Sequence, residues 1–261
     1  MRAIRIAATY LKIGVLNELQ YRVNFFIQLL QAGVALASGL IGLALVFNHT
    51  DDLAGWSQPE LLAVMGVHLL MGGLINAAIQ PNMQTLMENI REGTLDYPLT
   101  KPVDTQLLIS VREFRFWQTV DMVIGLVVLG WALSDLQQTV GWLNALGFAA
   151  ALFLGGIMIY CFWLILTTSA FWIVRIDEMV NLFQGLYAAG RWPVGIYPPW
   201  LRSMLTFLIP VAFAVTVPSE AVTGRLSWMT LLGAAGLALL FFLVARWFWL
   251  IGLRNYSGAS A

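Results

Sequence analysis

The run F-F-I-Q-L-L-Q-A-G-V-A-L-A-S-G-L-I-G-L-A-L-V-F (Phe25–Phe47) decides the fold. It holds no Asp, Glu, Lys or Arg, and it exceeds the about 20 apolar residues a helix needs to cross a hydrocarbon core. With its flank it predicts a first span over 23–47. Further runs of the same kind predict spans over 61–80, 116–134, 142–173 and 228–251. Pro81 is expected to stop or kink the second. The fourth is longer than an upright helix requires, so it tilts or breaks.

The rest of the chain agrees with this reading. Of its 261 residues, 59% are apolar and 11% charged, against about one quarter charged in a soluble domain. So few charges cannot cover a soluble surface. Composition excludes a soluble globular enzyme, a disordered chain and a nucleic-acid binder with a basic patch. The expected fold is an all-α integral membrane protein, a six-helix transmembrane bundle. The single cysteine, Cys161, sits in an apolar run and reads as a small buried hydrophobe. There are two histidines and no CxxC or HExxH spacing, so neither a metal nor a cofactor is expected.

Residues 1–22 read as an interfacial helix. Arg2, Arg5, Thr9 and Lys12 recur at three- and four-residue spacing, with Ile4, Ala8, Leu11, Val15 and Leu19 on another face. A cleaved signal fits worse, because Glu18 and Arg22 interrupt any early apolar region. The stretch 175–225 is harder to read. Two moderately apolar pieces, Met179–Ala189 and Ser203–Val217, flank R-W-P-V-G-I-Y-P-P-W (Arg191–Trp200). Either 178–195 crosses as the fifth span and 199–224 dips back as a re-entrant segment, or 203–217 crosses.

Basic residues set the orientation. Loop 48–60 has no Lys or Arg but carries Asp51, Asp52 and Glu60, and loop 134–141 has no Lys or Arg either. Eleven of the 14 basic residues fall on the opposite side. Both termini are therefore expected in the cytoplasm. The exceptions are Arg191, Arg202 and Arg225.

Polar residues inside the spans form faces. His68, Gly72, Asn76 and Gln80 recur every four residues; Gln28 and Gln31 make a smaller face; Gln118, Asp121 and Gly125 share a third. Such faces avoid lipid. They either line a translocation path or permease interface, or hydrogen-bond helix to helix. Asp121 could pair with Arg115, and Arg246 reads as a snorkelling anchor beside the aromatic belt of Trp247 and Trp249.

Loop 81–115 contains E-N-I-R-E-G-T-L-D-Y-P-L-T-K-P-V-D (Glu88–Asp104). It mixes both charge signs with apolar Ile90, Leu95, Tyr97 and Leu99. Such a loop either docks a partner or folds onto its own bundle. No G-x-x-x-x-G-K-[ST] occurs, and the lysines are Lys12 and Lys101 alone, so this sequence offers no P-loop for ATP.

Two motifs carry a resemblance. G-T-L-D-Y-P-L-T-K-P-V-D (Gly93–Asp104) and R-W-P-V-G-I-Y-P-P-W-L-R (Arg191–Arg202), followed by I-P-V-A-F-A-V-T-V-P-S-E-A-V-T-G (Ile209–Gly224), resemble ABC type-2 transporter permeases. The resemblance implies an exporter membrane subunit of a bacterial plasma membrane, often one of two different permeases. Its partners would be cytoplasmic ABC ATPase subunits that bind the ATP, a second permease copy or paralogue, and the lipid bilayer. The loop around Gly93–Lys101 would be the coupling helix, with Glu92, Gly93, Asp96, Tyr97 and Lys101 at the ATPase contact, and Pro198–Gly224 the re-entrant pair. The resemblance favours 178–195 as the fifth span. Two rivals remain: an ATP-independent channel or carrier, and a lipid-modifying enzyme built on His49 beside Asp51 and Asp52.

Overall fold

The computed structural model describes residues 9–10, 12, 14–16, 22–136, 141–173 and 177–256. Among them there is no strand, and five helices are long and apolar enough to cross a membrane, or six if one bent pair is counted as a span. The chain is an all-α membrane bundle. Most of the expected interfacial helix at 1–22 lies outside the described residues. Its described positions are helical, and Gly14 lies against the backbone of Phe114.

Helix α1 (Arg22–Phe47) is peripheral, with Val23, Phe26, Leu30 and Val34 exposed. Helix α2 (Gln58–Leu74) is central and almost wholly buried. Pro81 does not end it. A π-turn at Ile75–Ile79 carries it into α3 (Gln80–Arg91), and the continuous helix runs 34 residues. Proline lacks the N–H that the Ala77 carbonyl would otherwise accept. Arg115 supplies the replacement, its backbone N–H reaching Ala77 O at 2.9 Å. Buried Asn82 completes the repair. Its Nδ2 donates to Ala78 O (2.6 Å) and Glu113 O (2.8 Å), and its Oδ1 accepts from Glu113 N (2.8 Å).

Much of the expected loop 81–115 is thus helix. After α3 come two short helices, α4 (Asp96–Leu99) and α5 (Thr105–Ser110), then α6 (Thr119–Asp135). Helix α6 crosses α2 at backbone contact. A Cβ added at Gly125 would lie 2.5 Å from Leu70 N and 2.7 Å from Gly66 O, which is the close approach small residues permit between membrane helices.

Helix α7 (Trp142–Thr168) and the last helix, α11 (Trp228–Arg254), pack side by side. Between them in sequence lies the irregular part. Helix α8 has 12 described residues, Asp177–Ala188, and closes in a 3-10 turn at Ala189–Arg191. The described part is about 18 Å long, short of the roughly 30 Å of a hydrocarbon core. The expected continuous fifth span at 178–195 is therefore a half-helix followed by loop. Its last turn sits beside His68, ten residues or about 15 Å inside the helix that starts at Gln58. The chain then folds into α9 (Pro199–Ser203), lengthened by a π-turn to Leu208, and a second π-turn at Ala212–Thr216 leading into α10 (Val217–Val222). The two halves meet at 77° around Pro210. Ile209, held extended ahead of that proline (φ −116°, ψ 99°), makes the break.

Interrupted backbone at membrane depth must be satisfied internally. Tyr197 Oη donates to Ala189 O (2.8 Å), and Val194 N–H reaches Thr216 Oγ1 (3.4 Å). Ser219 and Thr223 return their hydroxyls to carbonyls one turn back.

The bundle has two distinct ends. One bears Arg91, Lys101, Arg246 and Arg254 and is called basic here; the other bears Asp51, Asp52 and Glu60 and is called acidic. Each carries an ion pair between distant segments. At the acidic end Arg225 grips Glu60 through Nε and Nη2, both at 2.7 Å. At the basic end Arg246 Nη2 meets Asp104 Oδ2 at 2.6 Å, and its Nη1 reaches Gln106 Oε1 at 2.6 Å. Arg246 is therefore a paired residue and not a free snorkelling anchor. Trp249 is 1% exposed, so of the expected belt only Trp247 faces outward.

Candidate functional site

The three polar faces meet. Gln28 and Gln31 of α1, His68 and Asn76 of α2 and its π-turn, Gln80 of α3, and Gln118 and Asp121 at the start of α6 all line one cavity of about 380 Å³. Helix α8 and the 3-10 turn after it add Phe183, Gln184, Tyr187 and Arg191 to the lining. Along the α2–α3 axis the cavity runs from His68 to Gln80, about 18 Å. It starts near the depth where α8 breaks off and extends toward the basic end.

Its walls are partly self-satisfied. Gln28 Nε2 donates to Asp121 Oδ2 (2.9 Å). The expected Asp121–Arg115 pair does not form; α1 lays Gln28 against the carboxylate, while Arg115 Nη2 donates to Gln84 Oε1 (3.2 Å). The Tyr187 ring stacks on His68 at 4.5 Å, and its hydroxyl donates to His68 O at 2.8 Å. Gln184 Nε2 approaches Gln80 Oε1 at 3.5 Å. His68 Nδ1 is buried with no hydrogen-bond partner. A second cavity of about 280 Å³ shares Gln28, Arg115 and Gln118 and adds Asn24, Ile27 and Trp117.

Sequence reasoning placed Gln28, Gln31, His68 and Asn76 in one group, and the structure brings them together. It missed Gln184, Tyr187 and Arg191. Their spacing of three and four residues on α8 was the available signal. Arg191 was expected on the acidic side. The 3-10 turn places it near His68 in the cavity wall, as an exposed residue.

The second candidate element is the turn at the basic end. The 34-residue helix Gln58–Arg91 is about 51 Å long, well beyond the roughly 30 Å of a hydrocarbon core. It overruns such a core by about 20 Å. Gly93 reverses the chain at φ 70°, with Thr94 N–H returning to Asn89 O (2.9 Å). Leu95 and Pro98 point inward and are buried, whereas Glu92, Asp96, Tyr97, Leu99 and Lys101 are exposed. Lys101 Nζ lies 4.2 Å from the Tyr97 ring centroid. The apolar set splits: Ile90 and Leu95 pack inward, while Tyr97 and Leu99 face out.

The turn is also tethered. Asp104 caps α5 by accepting Leu107 N–H (3.2 Å) and pairs with Arg246 of α11. Gln106 Nε2 (3.1 Å) and Ser110 Oγ (2.7 Å) both bond Tyr160 Oη of α7.

The His49 cluster does not assemble. A His49 ring nitrogen lies 3.0 Å from Leu45 O, and Asp52 Oδ1 accepts from Gly55 N–H (3.2 Å) within its own turn. No group of three or more potential metal ligands occurs among the described residues.

Comparison with known families resolves the class. The family model described as ABC-2 family transporter protein matches residues 34–260. The chain belongs to this family. The match takes in the second half of α1 and every later helix, including the turn, the bent pair and all the cavity lining except that from Gln28 to Ala32. The permease is thus a membrane subunit of an ABC transporter and not itself the ATPase, and ABC-2 permeases generally work with ABC ATPase subunits. No curated protein and no solved structure matches it.

Proposed function

We propose that this permease couples ATP hydrolysis by a partner subunit to substrate efflux. The basic end faces the cytoplasm of a bacterium, with both termini on that side. The exposed face of Glu92–Lys101 seats in a cleft of the ATPase, and the carboxamide-lined cavity belongs to the substrate path or to the interface with a second permease. The observation that carries this reading is the turn itself. It combines exposed charges of both signs with exposed Tyr97 and Leu99, and it follows a continuous helix longer than a hydrocarbon core. A loop with no partner would gain nothing from an exposed aromatic beside exposed leucine.

The test replaces Glu92–Lys101 with a Gly/Ser linker in the copurified complex. Substrate-stimulated ATPase activity is expected to fall to the unstimulated rate, and full retention overturns the reading. Transport by the isolated chain in ATP-free vesicles would establish the channel or carrier instead.

A further inference from the structure

Arg191 presents an imbalance. It ends the 3-10 turn that closes α8, in the wall of a cavity between spanning helices, and has no carboxylate partner among the described residues. The acid lining that cavity, Asp121, is bonded to Gln28. Arg115 also lines it, and its guanidinium bonds a neutral carboxamide, Gln84. Both arginines are exposed on the open side of the cavity. Ionisable side chains within membrane bundles are costly and ordinarily pair with one another or mark a pathway. Among the described residues, the lining sets two guanidinium groups against one carboxylate.

The polar lining agrees. The carboxamides of Gln31, Asn76 and Gln118 line the space without bonds of their own among the described residues. His68 lines it through its ring, while its unpartnered Nδ1 lies toward Gly190 and is shut off from the cavity.

We propose that this cavity binds an anionic oxygen group, phosphate or carboxylate, carried by an amphiphile that enters sideways. Arg191 and Arg115 neutralise the oxyanion and the free carboxamides bond its polar substituents. The adjoining 280 Å³ cavity supplies the side entrance, because it shares Arg115 and reaches Ile27, which is 48% exposed on the lateral surface. A headgroup fits the polar chamber while its chain remains in the apolar surroundings. This assignment rests on reading the cavity as part of the path and names its ligand class.

The test uses the full chain in phosphatidylcholine nanodiscs. Trace diazirine-bearing phosphatidylglycerol or diazirine-bearing phosphatidylcholine is photolysed, and labelled peptides are mapped by mass spectrometry. The anionic probe is expected to label the stretch 72–80 about tenfold more than the zwitterionic one, the low end of what one charge-assisted hydrogen bond contributes. Arg191→Gln should erase that preference, and Arg191→Lys, which keeps the charge, should retain most of it. Exposed Arg202→Gln, outside the cavity, should leave it unchanged. Equal labelling by the two lipids, or an undiminished preference in Arg191→Gln, overturns the proposal. Displacement of the anionic probe by millimolar inorganic phosphate would show that a free oxyanion occupies the site, which overturns the amphiphile. Because labelling needs no ATPase, failure here leaves the coupling test standing, and failure of coupling leaves this one standing.

Discussion

The clamp at the acidic end offers a measurable perturbation. Glu60 accepts from Ser57 N (2.8 Å) and Ser57 Oγ (2.9 Å) at the start of α2, and from Arg225 Nε and Nη2 (both 2.7 Å) just before α11. Arg225 Nη2 also bonds Gly55 O (2.7 Å), and its guanidinium lies 4.8 Å from the centre of the Trp56 ring. The Glu60 side chain is 10% exposed and that of Arg225 38%. Losing a helix cap costs about 1 kcal/mol. A bidentate charge-assisted pair contributes more than a surface pair, but solvent around Arg225 screens it, which leaves about 1–2 kcal/mol. Glu60→Ala should therefore cost about 2–3 kcal/mol, or roughly 4–10 °C in melting midpoint for a chain of this size. Tryptophan fluorescence of detergent-purified protein reads the shift. Glu60→Gln keeps an acceptor for the cap and should lose only the ion-pair part. The exchanged pair Glu60→Arg with Arg225→Glu should recover some of it. A shift below about 1 °C for Glu60→Ala would refute a structural role for this contact between α2 and the segment after the bent pair.

Gly125→Ala should destabilise the same protein by about 1–3 kcal/mol, because the new methyl meets the backbone of α2 and not a yielding side chain; the same melting assay checks it. Hydrogen bonding to Arg246 holds the Asp104 carboxyl below its ordinary range. Wild type should therefore exceed Asp104→Asn in melting midpoint at neutral pH. The excess stays below about 1 kcal/mol, since the pair is half exposed and screened. It should vanish as pH falls through the lowered value, where the protonated acid and the amide become alike. A difference that is unchanged down to pH 3 would refute the pairing.

Spans and faces were legible because lipid imposes simple rules. Uncharged length predicts crossing, and polar spacing predicts which side avoids lipid. Thus His68, Asn76, Gln28 and Gln31 could be grouped before any coordinates. Two features were not legible, for one shared reason: the backbone solution depends on a partner far away in sequence. Pro81 looks like a helix end until Arg115 supplies the missing donor to Ala77. The stretch 178–195 looks long enough to cross, because hydropathy does not register a helix that stops at Ala188 and relies on Tyr197 and Thr216 to satisfy the broken backbone. That break is what carries Arg191 into the cavity. Asn82 and Tyr160 were equally invisible, being polar residues whose partners lie 31 and about 50 positions away.

The placement of the irregular backbone bears on how a pull at the turn would be felt. The helix Gln58–Arg91 runs continuously from the cavity wall to the turn. A uniform helix of that length would move as a rod. This one carries its π-turn at Ile75–Ile79, where Ile75 and Asn76 line the cavity, with Pro81 directly after it. A π-turn and a proline are where a helical ladder is weakest and where long helices bend. Above that point α2 is locked to α6 by backbone contact at Gly66 and Gly125, and to the bent pair by Glu60 and Arg225. Below it the turn hangs from α7 through Tyr160 and from α11 through Arg246. Displacement of the turn therefore has one yielding joint available to it on this helix, and that joint is the cavity wall. On the proposed reading, a partner that shifts Glu92–Lys101 reshapes the chamber at Asn76 first, before any rearrangement at the acidic end. A disulfide bridging the two sides of the π-turn should uncouple ATPase activity from transport while leaving the partner bound.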